Sequence, residues 1–273
     1  MNRPTVEILI PTFNRPAALA VTLASLASQL FRDFNVIVAD QSDHEVVSYP
    51  EVRAMVRVLE EHGNTVAIYR RTTRQGIGEQ RQFLLEQSSA HHIAFLDDDL
   101  FLEPYVITNM HTALGEENIG FVGCAVIGLS YLHDVRPEQQ FIEFWQGPVQ
   151  PEEVSPDKPA WQRYQLHNAA NLYHVQQKLG LTAEEPLRYK IAWTGGCVMY
   201  DAEKLRSVGG FTFWSDLPAN AIGEDVLAQL RVMRAYGGCG LIPSGVYHQE
   251  LPTTLPDRSI DAPKILSTVE DSS

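Results

Sequence analysis

Short runs of β-branched and aliphatic residues alternate with stretches of helical periodicity along the first half of the chain, the pattern of a parallel sheet with crossover helices. Strands are predicted over 6–10, 34–40, 65–69 and 92–96, with helices over 46–61 and 76–88 between the later ones. A helix after the first strand carries Leu19, Leu23, Leu26 and Leu30 at helical spacing, with Asn14 as its expected cap and Pro16 tolerated in its first turn. A helix over about 103–114 and an apolar strand over 119–127 complete this half.

Between 128 and 190 the periodicity fails. Pro137, Pro148, Pro151, Pro156 and Pro159 interrupt a stretch rich in Gln, His and aromatic residues, which reads as an insertion. Its one clear element is a helix near 164–179, closed by Gly180. Beyond it the pattern predicts a strand over 191–200, a helix capped by Asp201, a helix over about 224–236 and a last strand around 240–247. From Leu251 onward the chain is polar and proline-containing, without a core-forming pattern. The expected organisation is one domain over 1–250, with 128–190 inserted on its acceptor side and 251–273 a flexible tail.

Composition narrows the function. With 273 residues, 44% of them apolar, a single α/β core is readily filled. The 34 acidic against 21 basic residues, net −13, weigh against nucleic acid or an anionic membrane as the main partner. An anionic small substrate would then need local help, such as a divalent cation held by clustered carboxylates. Cys124, Cys197 and Cys239 form no disulfide framework, and the apolar run in MNRPTVEILIPTFNRP is too short for a signal peptide. No later segment could span a bilayer. A cytoplasmic protein is expected, with peripheral contact at the inner membrane face and homo-oligomerisation left open.

Candidate chemistry gathers at strand ends. Asp97, Asp98 and Asp99 follow a buried strand, at the sheet edge where open α/β folds bind ligands, and three adjacent carboxylates need a compensating charge. A solvated acidic turn is the plainer reading. Gly223-Glu224-Asp225 opens a helix, whose dipole stabilises an acid there by about 0.3–1 kcal/mol and equally keeps a general base ionised; capping and catalysis both remain open. Gly195 and Gly196, after Trp193, interrupt an apolar strand and mark a bulge or a close approach of ligand to backbone. His248 ends the last strand, where a neutral imidazole could complete a metal site, whereas His91 and His92 are read as structural. Thr12, Phe13, Asn14 and Arg15 follow the first strand and Asp40 ends the second, so Asp40 could accept the N–H of a base such as uracil. Arg74, clustered with Arg70 and Arg71, is a candidate phosphate contact.

In order, the segments ILIPTFNRP, VIVADQSD, RQGIGEQRQ, FLDDDL, WTGGCVMYDAEKLRSVGGF and GEDVLAQLR resemble family 2 of the glycosyltransferases of GT-A fold. The resemblance runs from the first strand to about His248, excluding 128–190. It implies a Rossmann-like α/β domain with a mostly parallel sheet, a nucleoside-diphosphate-sugar donor, a Mn²⁺ or Mg²⁺ ion at an Asp-X-Asp motif, and inversion at the anomeric carbon. Carried onto this sequence, Asp97 and Asp98 lie near the ribose and Asp99 binds the metal, with His248 as a further metal or phosphate ligand. Asp40 and Thr12 to Arg15 hold the nucleobase, with Arg74 and Arg81 also on the nucleotide side. Trp193, Gly195 and Gly196 border the sugars, Asp225 is the catalytic base, and Glu224 orients the acceptor. Two departures stand out: Ala39 replaces the first of two acids that commonly end the second strand, and Arg81-Gln82 replaces a frequent Arg-Asn. The resemblance implies a UDP-sugar donor and a glycan, lipid-linked saccharide or small-molecule acceptor. A retaining transferase, a nucleotidyltransferase and a non-catalytic sugar- or nucleotide-binding module are the competing readings. The aromatic-rich insertion is expected to select the acceptor, as a mobile lid.

Overall fold

The computed structural model describes residues 4–255 and 257–266. The chain runs through β1 (Val6–Thr12), α1 (Pro16–Ala27), β2 (Phe34–Asp40), α2 (Pro50–Glu61), β3 (Val66–Arg70), α3 (Ile77–Gln87) and β4 (His92–Leu96). These strands pair in parallel in the order β3-β2-β1-β4, so β1, β2 and β4 end at one common edge. Their side chains alternate between two cores: Ile8, Ile10, Val36 and Val38 pack on one face of the sheet, Leu9, Ile37 and Ala39 on the other. Burial on both faces is why these strands read as continuous apolar runs.

The second half adds β5 (Leu100–Leu102), α4 (Val106–Glu117), β6 (Phe121–Gly123), α5 (Asn171–Leu179), β7 (Leu187–Tyr189), β8 (Cys197–Asp201), α6 (Ala202–Ser207), α7 (Glu224–Tyr236), β9 (Gly238–Ile242), β10 (Val246–His248) and α8 (Ala262–Ile265). The large sheet continues as β4-β8-β6-β9-β7, with β8 antiparallel to both neighbours, while β5 and β10 form a separate antiparallel pair. Two consequences matter for the site. Antiparallel β8 brings the glycines that precede Cys197 beside the end of β4, where Asp97 N donates to Gly196 O at 2.9 Å. The β5–β10 ladder sets His248 opposite Leu100, next to the triplet.

Several expected elements are divided, each for a local reason. The strand expected over 191–200 starts only at Cys197, because Gly196 has φ +79°, outside the extended region. The helix expected over 164–179 is a 3₁₀ segment (Pro159–His167) and α5, broken where Ala169 takes φ +51°. The last strand splits around Pro243, which has no N–H for a ladder. The run over 119–127 divides its pairing, with β6 in the large sheet and Ile127 bridging Tyr247. β5 and β7, three residues each, are too short to carry a periodic signal. Asp201 caps α6 as expected, accepting from the backbone N–H groups of Glu203 and Lys204. Cys124, Cys197 and Cys239 are buried free thiols.

The chain after Leu251 is not structureless where it is described. Ile222 N donates to Ile260 O and Ala262 N to Ile222 O, at 2.9 and 2.8 Å, and Ala262 is fully buried. This packing rests on backbone bonds and a four-residue helix, which leave no periodicity to read. Residues 267–273 of the expected tail lie outside the described residues. No helix among the described residues is long and apolar enough to cross a membrane.

Glu7 on β1 is a buried clamp for the α3–β4 connection: its carboxylate accepts from Ser88 Oγ and from the backbone N–H groups of Ser89 and Ala90, at 2.5, 2.7 and 3.0 Å. Replacing it by alanine strands these donors, so Glu7→Ala is expected to cost about 3 kcal/mol in urea unfolding. An unchanged unfolding midpoint would contradict this role.

Candidate active site

Carboxylates from β4 and α7 meet at the edge where the parallel strands end. Asp98 and Asp99 are buried, at 6% and 3% exposure, while the Asp97 side chain is about two-fifths open. Arg15, between β1 and α1, reaches both inner acids: Nη1 lies 3.3 Å from Asp98 Oδ1 and 2.7 Å from Asp99 Oδ2. Thr12 Oγ1 donates to Asp98 Oδ2 at 2.6 Å. On α1, Thr22 Oγ1 accepts from Leu100 N at 3.0 Å and fixes the turn behind the triplet. Burial pushes Asp98 up to about 6 against the opposing pull of Thr12 and Arg15. Burial also raises Asp99, with His248 and Arg15 opposing and Asp97 adding to the rise.

Arg81 on α3 joins the triplet to α7, with Nη2 2.9 Å from Asp97 Oδ1 and Nε 2.9 Å from Glu224 Oε1. Burial alone would depress this guanidinium, but Asp97, Glu224 and Asp225 outweigh it and hold it above its ordinary value. Asp225, the next residue of α7, is pushed up to about 7 by burial and by Glu224, with Arg81 pulling the other way and Asp97 adding to the rise. Its turn is set from outside: Gly223 has φ +76°, and a Cβ there would lie 2.5 Å from Asp261 Oδ1 and 2.9 Å from Pro263 Cδ, so the α8 segment packs directly on it.

Across from Asp225 lie the two glycines. A Cβ on Gly195 would stand 3.9 Å from Asp225 Oδ2, and one on Gly196 would meet Val126 at 2.7 Å and Asp97 Oδ2 at 3.4 Å. A void of about 10 Å³, roughly one water, sits among Arg81, Gly196, Tyr200 and Asp225. Gln229, one turn along α7 from Asp225, donates to Thr194 O at 2.7 Å and accepts from Thr194 N at 2.9 Å, tying the glycine loop to the helix. Trp193 stacks on Tyr164, centroids 6.2 Å apart and planes 6° from parallel. Trp193 Nε1 and Thr194 Oγ1 are buried without hydrogen-bond partners beside the glycines, two polar groups that a ligand or water would satisfy.

Of the residues expected on the nucleotide side, Phe13, Asn14 and Arg74 gather around Asp43 and the 41–46 loop. Asn14 does not cap α1; it takes φ +56° and exchanges hydrogen bonds with Asp43, donating through Nδ2 at 2.7 Å and accepting from its N–H at 2.8 Å. Arg74 pairs with Asp43, and its guanidinium lies 4.2 Å from the centroid of the Phe13 ring. Asp40, expected to face a nucleobase, is 1% exposed, and its oxygens accept from Ser42 N and Val46 N, each at 2.9 Å. With Arg70 Nη1 at 3.5 Å, it shapes the 41–46 loop from within rather than facing the cleft. Sequence reasoning missed Gln229, Gln80, which donates to Thr12 O and Ala39 O, and Glu79, which pairs with Arg71. Their only signal was polar residues on helices that face the sheet.

His248 Nε2 lies 3.4 Å from Asp99 Oδ2. No group of three or more His, Cys, Asp or Glu able to hold a metal occurs among the described residues. Asp99 Oδ2 is also met by Arg15 Nη1 at 2.7 Å, and His248 Nδ1 accepts from Glu250 N at 2.7 Å, so the imidazole turns its Nε2–H toward Asp99.

Residues 7–171 match the family model described as glycosyl transferase family 2. The chain is 27% identical over 97 residues to the GalNAc(5)-diNAcBac-PP-undecaprenol beta-1,3-glucosyltransferase of Campylobacter jejuni, covering 35% of this chain and 30% of that one. It is 29% identical over 120 residues to the chondroitin synthase of Escherichia coli, covering 43% and 17%. The matched stretches thus span less than a third of either relative. Staphylococcus aureus TarS 1–349, solved with UDP-GlcNAc, shares the fold at TM-score 0.53 and 16% identity, over 92% of this chain and 60% of that one. The mannosyltransferase PcManGT of Pyrobaculum calidifontis, solved with GDP-Man and Mn²⁺, shares it at 0.51 and 18%, over 88% and 57%. With more than half of its length inside the family model, on a mixed α/β fold common to these enzymes, the chain belongs to glycosyl transferase family 2.

Proposed function

We propose that the protein transfers a sugar from a UDP-sugar to an acceptor hydroxyl by a single, inverting displacement. The observation that carries the reading is Asp225, held at the start of α7 beside the Gly195-Gly196 loop, where burial pushes its carboxyl up to about 7, Glu224 adding to the rise and Arg81 opposing it. A base that works at neutral pH needs such a value. The acceptor hydroxyl gives its proton to Asp225 as its oxygen bonds to the anomeric carbon, and the bond from that carbon to the diphosphate breaks with its electron pair leaving on phosphate oxygen. Glu224 is engaged with Arg81, while the side chain of Asp225 lies beside Gly195.

The UDP reading draws support from the UDP-GlcNAc complex of TarS, and metal dependence from the Mn²⁺ complex of PcManGT together with the buried Asp98 and Asp99 carboxylates. Asp99 would hold the ion, which when bound would supply positive charge to the departing diphosphate, while His248, whose Nδ1 accepts from Glu250 N, turns its Nε2–H toward Asp99. Thr12 and Arg15 order the triplet for it, and the Phe13, Asn14 and Arg74 rim flanks the nucleotide side. In place of a direct base contact, Asp40 holds the loop against that rim.

Asp225→Asn is expected to lower transfer by about 10²- to 10⁴-fold while melting-temperature shifts with UDP persist; full turnover would remove Asp225 from the chemistry. Because only the ionised carboxylate accepts a proton, kcat should rise with pH through about 7 and level off above it. Arg81 lowers the Asp225 value, so in Arg81→Met that inflection should move upward; an unmoved inflection would assign it to another group. Proton NMR of the first product formed should show the anomer opposite to the donor, and retention would reject single displacement.

A further inference from the structure

Beside His248, a cleft of about 340 Å³ opens where the 128–190 segment meets the chain that follows β10, lined by Tyr131, His167, Ala169, His248, Glu250 and Leu251 among others. That volume is at the lower end of the roughly 300–1,000 Å³ of small-molecule sites. The cleft adjoins the carboxylate edge on two sides. His248 Nε2 is 3.4 Å from Asp99 Oδ2, and Val126, a further wall residue, packs where a side chain on Gly196 would begin.

Its interior is built rather than incidental. A Cβ on Gly128 would lie 2.9 Å from Tyr131 Cδ2 and 3.0 Å from Glu250 Oε1, so ring and carboxylate converge over a position that only glycine leaves open. Ser130 orients Glu250, donating to Oε1 through its N–H at 3.2 Å and its hydroxyl at 2.7 Å, and Glu250 N donates to His248 Nδ1 at 2.7 Å. His167 is fixed by Tyr189 Oη, 2.9 Å from its Nε2. Among the described residues four non-glycines take a left-handed backbone: two are asparagines, which tolerate it, and the other two, Ala169 at φ +51° and Glu250 at φ +58°, both line this cleft. Backbone strain of this kind concentrates at ligand sites. Tyr131 keeps half of its surface exposed, and no lysine or arginine lines the cleft among the described residues.

We propose that this cleft is the acceptor subsite and that it selects a neutral sugar, one ring laid on Tyr131 with hydroxyls donated to Glu250, against acceptors that carry phosphate or carboxylate. The selection rests on the transferase reading above. Sugar hydroxyls satisfy a carboxylate with charge-assisted bonds, whereas an anionic group would face Glu250 with no lysine or arginine among the described lining residues to pair it. The apolar C–H face of a pyranose suits an open tyrosine ring as an aromatic partner.

The test is retention on an array of printed oligosaccharides, neutral, phosphorylated and uronic-acid-bearing, with UDP and Mn²⁺ present, alongside melting-temperature shifts with UDP and Mn²⁺. Wild type should retain neutral glycans; Tyr131→Ala should lose about tenfold and Tyr131→Phe should keep the binding. Glu250→Gln should weaken neutral glycans and admit anionic ones. Preference of the wild type for anionic glycans, undiminished binding by Tyr131→Ala, or no retained glycan despite a UDP shift would overturn the proposal. Neutral-glycan binding through Tyr131 without any UDP shift would uphold the cleft and instead refute the donor reading.

Discussion

Five carboxylates, Asp97, Asp98, Asp99, Glu224 and Asp225, share one sheet edge with two guanidiniums, Arg15 and Arg81, and one imidazole, His248. Negative charge is left over, and burial makes it costly, which is why Asp98, Asp99 and Asp225 are all raised. The surrounding fold answers this constraint. Arg15 enters at the start of α1, Arg81 from the buried face of α3, and His248 through the β5–β10 ladder. Removing one partner of a buried pair of this kind exposes an uncompensated charge, so the packing of three separate elements depends on the same ionic balance. A net charge of −13 gives the protein no general attraction for a diphosphate, and whatever draws one in must be local.

The division of labour follows from geometry. Arg81 engages Glu224, and Asp225 faces the Gly195-Gly196 loop. Gln229 ties that loop to the same helix through two hydrogen bonds with the Thr194 backbone. The α8 segment closes the arrangement from behind by packing on Gly223. Strands at the edge, helix termini above them and one late ladder are enough to bring together groups far apart in sequence, Asp99 and His248 being about 150 residues apart and Arg15 and His248 about 230.

Much of this was legible because the chemistry-bearing residues sit in short runs at element ends. β4 matches its expected bounds, and the parallel half follows from apolar runs buried on both faces. The triplet, the glycine pair, Glu224-Asp225 and His248 were each identifiable as strand-end or helix-start residues, and the structure gathers them at one edge. What escaped was tertiary. Asp40 looked like a cleft residue because it ends a strand at the right edge, yet its oxygens are spent on Ser42 and Val46 inside the loop. Gln80 and Gln229 gave no signal, since an amide that satisfies backbone groups of another element is indistinguishable in sequence from one that faces water. The docking of Ile260 and Ala262 rests on backbone hydrogen bonds, which no side-chain pattern records.

The account stands on the claim that the surplus carboxylates at this edge bind a cation on which the nucleotide depends. Isothermal titration of UDP into the wild type, with Mn²⁺ and then with EDTA, tests it directly when Asp99→Ala is measured beside it. Tight binding only with Mn²⁺, lost in Asp99→Ala, is the predicted result; equal UDP affinity in EDTA, or in the variant, would contradict it.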